Sequence, residues 1–136
     1  MKTTLASLVI LIFISTSCSG PSGNHKKIIG SWQITAVRVT DNDGTIQTRP
    51  IHRSEVKIFN DTHFSFGYQE GDSAMAAGGG LYKIKGDSLF EYVQYHSITS
   101  LKGKEFHFKI RFDGKNYTQR GIFNGQITEE EWERIK

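Results

Sequence analysis

The chain predicts an all-β domain, an eight-stranded antiparallel up-and-down barrel over residues 28–136, behind a leader that is not part of the fold. From Ile28 onward, apolar and polar residues alternate in short runs. No stretch sustains the 3.6-residue period of an amphipathic helix. Between the runs stand the tight-turn signals "DNDG", "ND", "GD", "DGK" and "NG".

The leader comes first. Lys2 precedes an apolar run from Leu5 to Ile14, which gives way to "STSCSG". Such a run is about half as long as a membrane-spanning helix and suits the core of an export signal, so residues 1–17 read as a signal peptide. Cys18, the sole cysteine, stands where that core ends. With its small neighbours Thr16 and Ser17, "ISTSC" resembles a bacterial lipoprotein signal, although Ser15 replaces the larger aliphatic residue usual there. The resemblance implies lipid attachment at Cys18. A lone exported thiol with no pairing partner fits the same expectation. Residues 18–27, small and polar up to "NHKK", read as a flexible tether. By the same resemblance Ser19 implies the outer membrane. The missing acidic cluster implies a periplasmic orientation, with the cell surface as the alternative.

Strands then follow in order. "GSWQITAVRVT" (30–40) is the first, and "TIQTRPIHR" (45–53) is an irregular connection, because Pro50 argues against a central strand. That connection could be a lid over a barrel mouth or a docking loop. The second to fourth strands are "SEVKIF" (54–59), "THFSFGY" (62–68) and a run from 76 to 85. The fifth to eighth are "SLFEYVQYH" (88–96), "EFHFKIRF" (105–112), "NYTQRGIF" (116–123) and "QITEEEWERIK" (126–136). Short hairpin turns pair each with the next, and closure removes the two exposed edges of such a meander. A barrel of this size is filled by side chains or holds one small ligand. "AAGGG" (76–80) leads into an alternating run rather than a helix, so it reads as a sharply bent strand that leaves space inside.

Alternation assigns inward faces, and a bulge would reverse every assignment beyond it. Trp32, Ile34, Ala36 and Arg38 share one face of the first strand, and Phe64, Phe66 and Tyr68 one face of the third. Tyr82 and Ile84, then Leu89, Glu91, Val93 and Tyr95, then Phe106, Phe108, Ile110 and Phe112, continue the series. On the last strand Glu130, Trp132 and Arg134 fall together. Inward charges must pair or stay hydrated. Glu130 and Arg134 are expected to pair at the closed end. Arg38, Glu91 and Gln119 are expected to grip the polar head of a small apolar or amphipathic molecule lying among Phe64, Phe66, Tyr68, Tyr82 and Tyr95. Packing of these aromatics as ordinary core is the competing expectation.

Other classes find less support. Once Lys2 leaves with the signal, sixteen of the seventeen basic residues face fourteen acidic ones, spread along the chain, which is a poor nucleic-acid footprint. The histidines, at 25, 52, 63, 96 and 107, lack metal-ligand spacing, and no nucleophile and base stand together. No metal, cofactor or catalytic residue is expected, and the chain does not read as an enzyme. His96, next to Ser97 at a strand end, is read as a hydrogen-bonded rim residue.

Gly30-Ser31-Trp32 with Arg134 near the end resembles the lipocalin signature, in which an arginine covers a tryptophan at the closed end. The resemblance implies that role for Trp32 and Arg134, and a cation over an indole face is favourable in itself. More closely, "GSW", "THFSF", "GGGLY", "EYVQYHS" and "EEEWERIK" resemble the small lipocalin-like lipoproteins of Gram-negative bacteria, across nearly all of residues 28–136. That family implies a fold and a location but no particular ligand. The competing function is a protein-binding accessory or inhibitor lipoprotein with a filled core and a protein partner.

Overall fold

In a computed structural model that describes residues 23–49 and 53–135, a single antiparallel sheet closes into a barrel. A short helix α1 (Gly23–Ile28) leads into β1 (Gly30–Thr40) and β2 (Ile46–Arg49). Then come β3 (Arg53–Phe59), β4 (His63–Glu70), β5 (Ser73–Lys85) and β6 (Ser88–His96). A 3₁₀ turn (Thr99–Leu101) precedes β7 (Glu105–Asp113), β8 (Asn116–Phe123) and β9 (Gln126–Arg134). Strand β1 pairs with β3 and with β9, so eight strands close the barrel as expected, and β2 is a ninth outside the circuit.

That ninth strand corrects the reading of residues 46–49 as irregular. Asp41 N–H donates to Thr45 O at 2.9 Å and Thr45 N–H to Asp43 Oδ1 at 2.9 Å. The closed turn pairs Ile46–Arg49 with Val37–Thr40, the half of β1 that β3 leaves uncovered. Pro50 and His52 lie outside the described residues, as do the expected signal and Cys18.

The expected tether also ends sooner than its composition suggests. Residues 23–27 belong to α1, which covers one end of the barrel because Ile28 is fully buried in the core. Trp32 Nε1 donates to Ile28 O at 2.7 Å, and Asn24 Nδ2 to Gly86 O at 2.8 Å in the β5–β6 turn. Inside that end, Tyr117 meets Trp32 edge-on at 4.7 Å and stacks on Trp132 at 6.0 Å. Phe59 meets Tyr82 edge-on at 5.0 Å. Each such side chain, fully buried, contributes about 1.5–3 kcal/mol.

Irregular register interrupts three strand pairs and re-aims side chains. In β1 the extra residue is Thr35, so Trp32 and Ile34 face inward and then Val37 and Val39 do. Ala36 and Arg38, expected inside, are turned outward. In β6 the shift falls at Gln94, which sends Tyr95 outward and His96 inward. In β5 it falls at Met75. The glycine run accommodates the second of these shifts: a Cβ on Gly80 would collide with the Tyr92 carbonyl of β6.

Candidate functional site: an aromatic chamber above a charged floor

The α1 end is packed solid, and the opposite end opens into a chamber of about 510 Å³. That volume falls within the range of small-molecule sites. Its floor is built on β3. The apolar residues Val56 and Ile58 favour one phase for that strand, but the strand takes the other. In the β3–β4 hairpin Phe59 lies opposite Phe64, and partners opposite one another share a face. Because Phe64 must be buried, Phe59, Lys57 and Glu55 turn inward with it, and Ile58 is left 47% exposed.

Lys57 is thus buried to 4% exposure and donates to Glu91 Oε1 at 3.0 Å. Its ammonium lies 5.0 Å from the Trp132 ring centroid and 5.9 Å from those of Phe59 and Phe64, so aromatic faces take up part of its lost hydration. Burial disfavours the charge, but Glu91, Glu130 and Glu55 outweigh it and raise the lysine pKa above its ordinary value. For Glu91, burial dominates and pushes its pKa up, despite the attraction of Lys57. Beside this pair Tyr117 OH donates to Gln119 Oε1 at 3.4 Å, and Gln119 Nε2 to Glu130 Oε2 at 2.7 Å. Burial first, then the carboxylates, holds the Tyr117 phenol protonated well beyond the usual range.

Above the floor the walls are apolar. Phe64, Phe66, Tyr68, Phe106, Phe108 and Phe123 line them, with Val37 and Val39 from the reversed half of β1. His96 joins this wall, 5.4 Å from the Phe66 ring. Ile98 N–H donates to its Nδ1 at 2.8 Å, which places the proton of the neutral ring on Nε2. Burial lowers its pKa, favouring that neutral form.

Of the residues expected to bind, Phe64, Phe66, Tyr68, Glu91 and Gln119 come together in the chamber. Arg38, Tyr82 and Tyr95 do not. Arg38 lies on the outer wall between Glu129 at 3.1 Å and Glu131 at 2.5 Å, displaced by the Thr35 bulge. Tyr95 is 52% exposed, displaced by the shift at Gln94. Tyr82 points inward but below the chamber, where its hydroxyl donates to Asn60 O at 2.6 Å.

At the closed end Trp32 and Trp132 are buried as expected, and the Arg134 guanidinium lies 4.1 Å from the Trp32 ring centroid. Gly30, at φ 135°, leaves room for that guanidinium, which also donates to Ile29 O at 2.8 Å. The expected Glu130–Arg134 pair does not form. Although the two share a face, Glu130 lines the chamber and Arg134 caps the other end. Glu55 and Lys57 were missed because the apolar pattern of "EVKIF" favours the wrong phase. The parity of the Phe59–Phe64 hairpin was the signal that could have found them. Among the described residues no group of three or more His, Cys, Asp or Glu is placed to hold a metal ion.

A closed eight-stranded barrel with a covered floor, an open mouth and an arginine over the first-strand tryptophan is a lipocalin-like barrel. Solved structures of the same fold include a lipocalin-like protein from Bacteroides uniformis ATCC 8492, 18% identical with TM-score 0.53, covering 80% of this chain and 99% of that one. Another is an uncharacterized protein from Bacteroides eggerthii DSM 20697, 18% identical with TM-score 0.54, covering 79% and 99%. A redesigned β barrel, 17% identical with TM-score 0.51, covers 82% and 95%. No protein-family model and no curated protein matches the sequence.

Proposed function

We propose that the protein is a membrane-anchored container that binds one small apolar or amphipathic molecule in the open half of its barrel. The observation that carries this reading is the aromatic-walled chamber of about 510 Å³ above a packed floor. A protein-binding accessory or inhibitor with a filled core has no need of such a space. The role is one of holding rather than turnover. The export signal and Cys18 support a lipid anchor in the outer membrane.

Organic extraction and mass spectrometry of the protein purified from its host tests the container. The expected result is one small molecule recovered from the native barrel and lost in Ala76→Trp, which fills the chamber from β5. If the native protein releases nothing and binds no neutral apolar fluorophore, the container reading fails. Metabolic labelling with palmitate tests the anchor, with label expected on the native chain and absent from Cys18→Ala.

A further inference from the structure

The chamber floor is not neutral toward the charge of what enters. Lys57 is committed to Glu91 at 3.0 Å on the chamber floor. Glu55 is engaged as well. Glu130 differs: its Oε2 accepts from the uncharged Gln119, and its Oε1 has no hydrogen-bond partner among the described residues. That oxygen belongs to a carboxylate lining the chamber. The charged residues described around the chamber are Glu55 and Lys57 of β3, Glu91 of β6, Glu130 of β9 and Arg49 of β2, with His96 also titratable. Arg49 lines the chamber from β2, outside the barrel circuit, and stands exposed, where water screens its charge. A carboxylate or phosphate brought to this depth would meet one cation, Lys57, against three carboxylates, Glu55, Glu91 and Glu130.

We infer that the ligand is an amphipathic organic cation, its ammonium seated on Glu130 and its apolar body lying along Phe66, Phe106 and Phe108. The inference rests on the container reading and narrows it to a class. An ammonium is small enough to donate to Oε1 while Gln119 keeps Oε2, and the surrounding rings offer their faces to a cation. Burial makes that contact stronger than it would be in water.

Titration calorimetry of the protein with three probes of equal chain length, decylamine, decanol and decanoate, tests this. Decylamine is expected to bind at least about tenfold more tightly than decanol, and decanoate more weakly than either. Glu130→Gln is expected to weaken decylamine at least about tenfold and so remove the preference for the amine. If that variant does not fold, the ranking of the three probes on the unaltered protein still decides. Equal affinities, a preference for decanoate, or an amine affinity unaffected by a folded Glu130→Gln overturns the inference and leaves the container reading standing. Failure of all three probes to bind overturns the inference, and the container reading falls with it when extraction of the native protein also yields nothing and no neutral apolar fluorophore binds.

Discussion

Lys57 and Arg38 form a natural comparison, each a cation touching glutamate, one inside the barrel and one outside. Removing one partner of a buried pair leaves the other charge stranded, which costs about 3–5 kcal/mol, whereas an exposed pair contributes at most about 1 kcal/mol. Lys57→Met should therefore lower the urea midpoint steeply, Lys57→Met with Glu91→Gln less steeply, and Arg38→Ala hardly at all. Arg38→Ala should also leave ligand binding intact. The tyrosines add a pH dependence. Burial, with a smaller contribution from Asp61, pushes the Tyr82 phenol up to about 12. An unfolded tyrosine releases its proton near pH 10, so between about pH 10 and 12 the folded chain holds more protons and stability falls as pH rises. Tyr117 acts in the same direction. Denaturation midpoints should decline once pH passes about 10, and Tyr82→Phe should reduce that decline.

Among the elements, the bulges separate what could be read in advance from what could not. Strand order, hairpin pairing and the inward faces of β4 and β7 followed from period-two alternation and turn residues, both local properties. A bulge is not local, because its position depends on how neighbouring strands curve to close the barrel. Thr35 and Gln94 carry no mark that distinguishes them from other strand residues, and so Arg38 and Tyr95 were misplaced. Lys57 was hidden for a different reason: hairpin parity overrides the apolar pattern of its own strand. The glycine run was legible as a bend, and its physical demand can now be stated position by position. Gly80→Ala would drive a methyl into the Tyr92 carbonyl, which is backbone and cannot swing aside, and should cost about 3 kcal/mol or more. Gly78→Ala meets His96 Cδ2 and Phe66 Cε1 at 2.9 Å, side-chain atoms that can shift, but it also meets the Tyr95 carbonyl at 3.0 Å. It should cost less than Gly80→Ala, narrow the chamber and weaken binding. Thermal melts together with probe titrations would rank the two.

In the molecule as a whole, closure divides the barrel into halves with different tasks. The α1 end gathers Trp32, Tyr117, Trp132 and Phe59 into a dense plug, and the other half spends no side chains on filling itself. Arg134 fastens the plug by joining the last strand to the residues just before the first. Arg134→Met should therefore lower stability without altering which probe the chamber prefers.

The position of α1 has a directional consequence. The five residue steps from Cys18 to Gly23 span at most about 18 Å, so an anchor at Cys18 would tie down the plugged end. The mouth, rimmed by Leu101, Asn124 and Gln126, would then look away from the lipid surface. Cargo would be exchanged with the aqueous compartment, not drawn sideways from the bilayer. On vesicles carrying the lipidated chain, a fluorophore at Asn124 should escape quenchers placed in the acyl region, and one at Asp87 in the β5–β6 turn should lie closer to them.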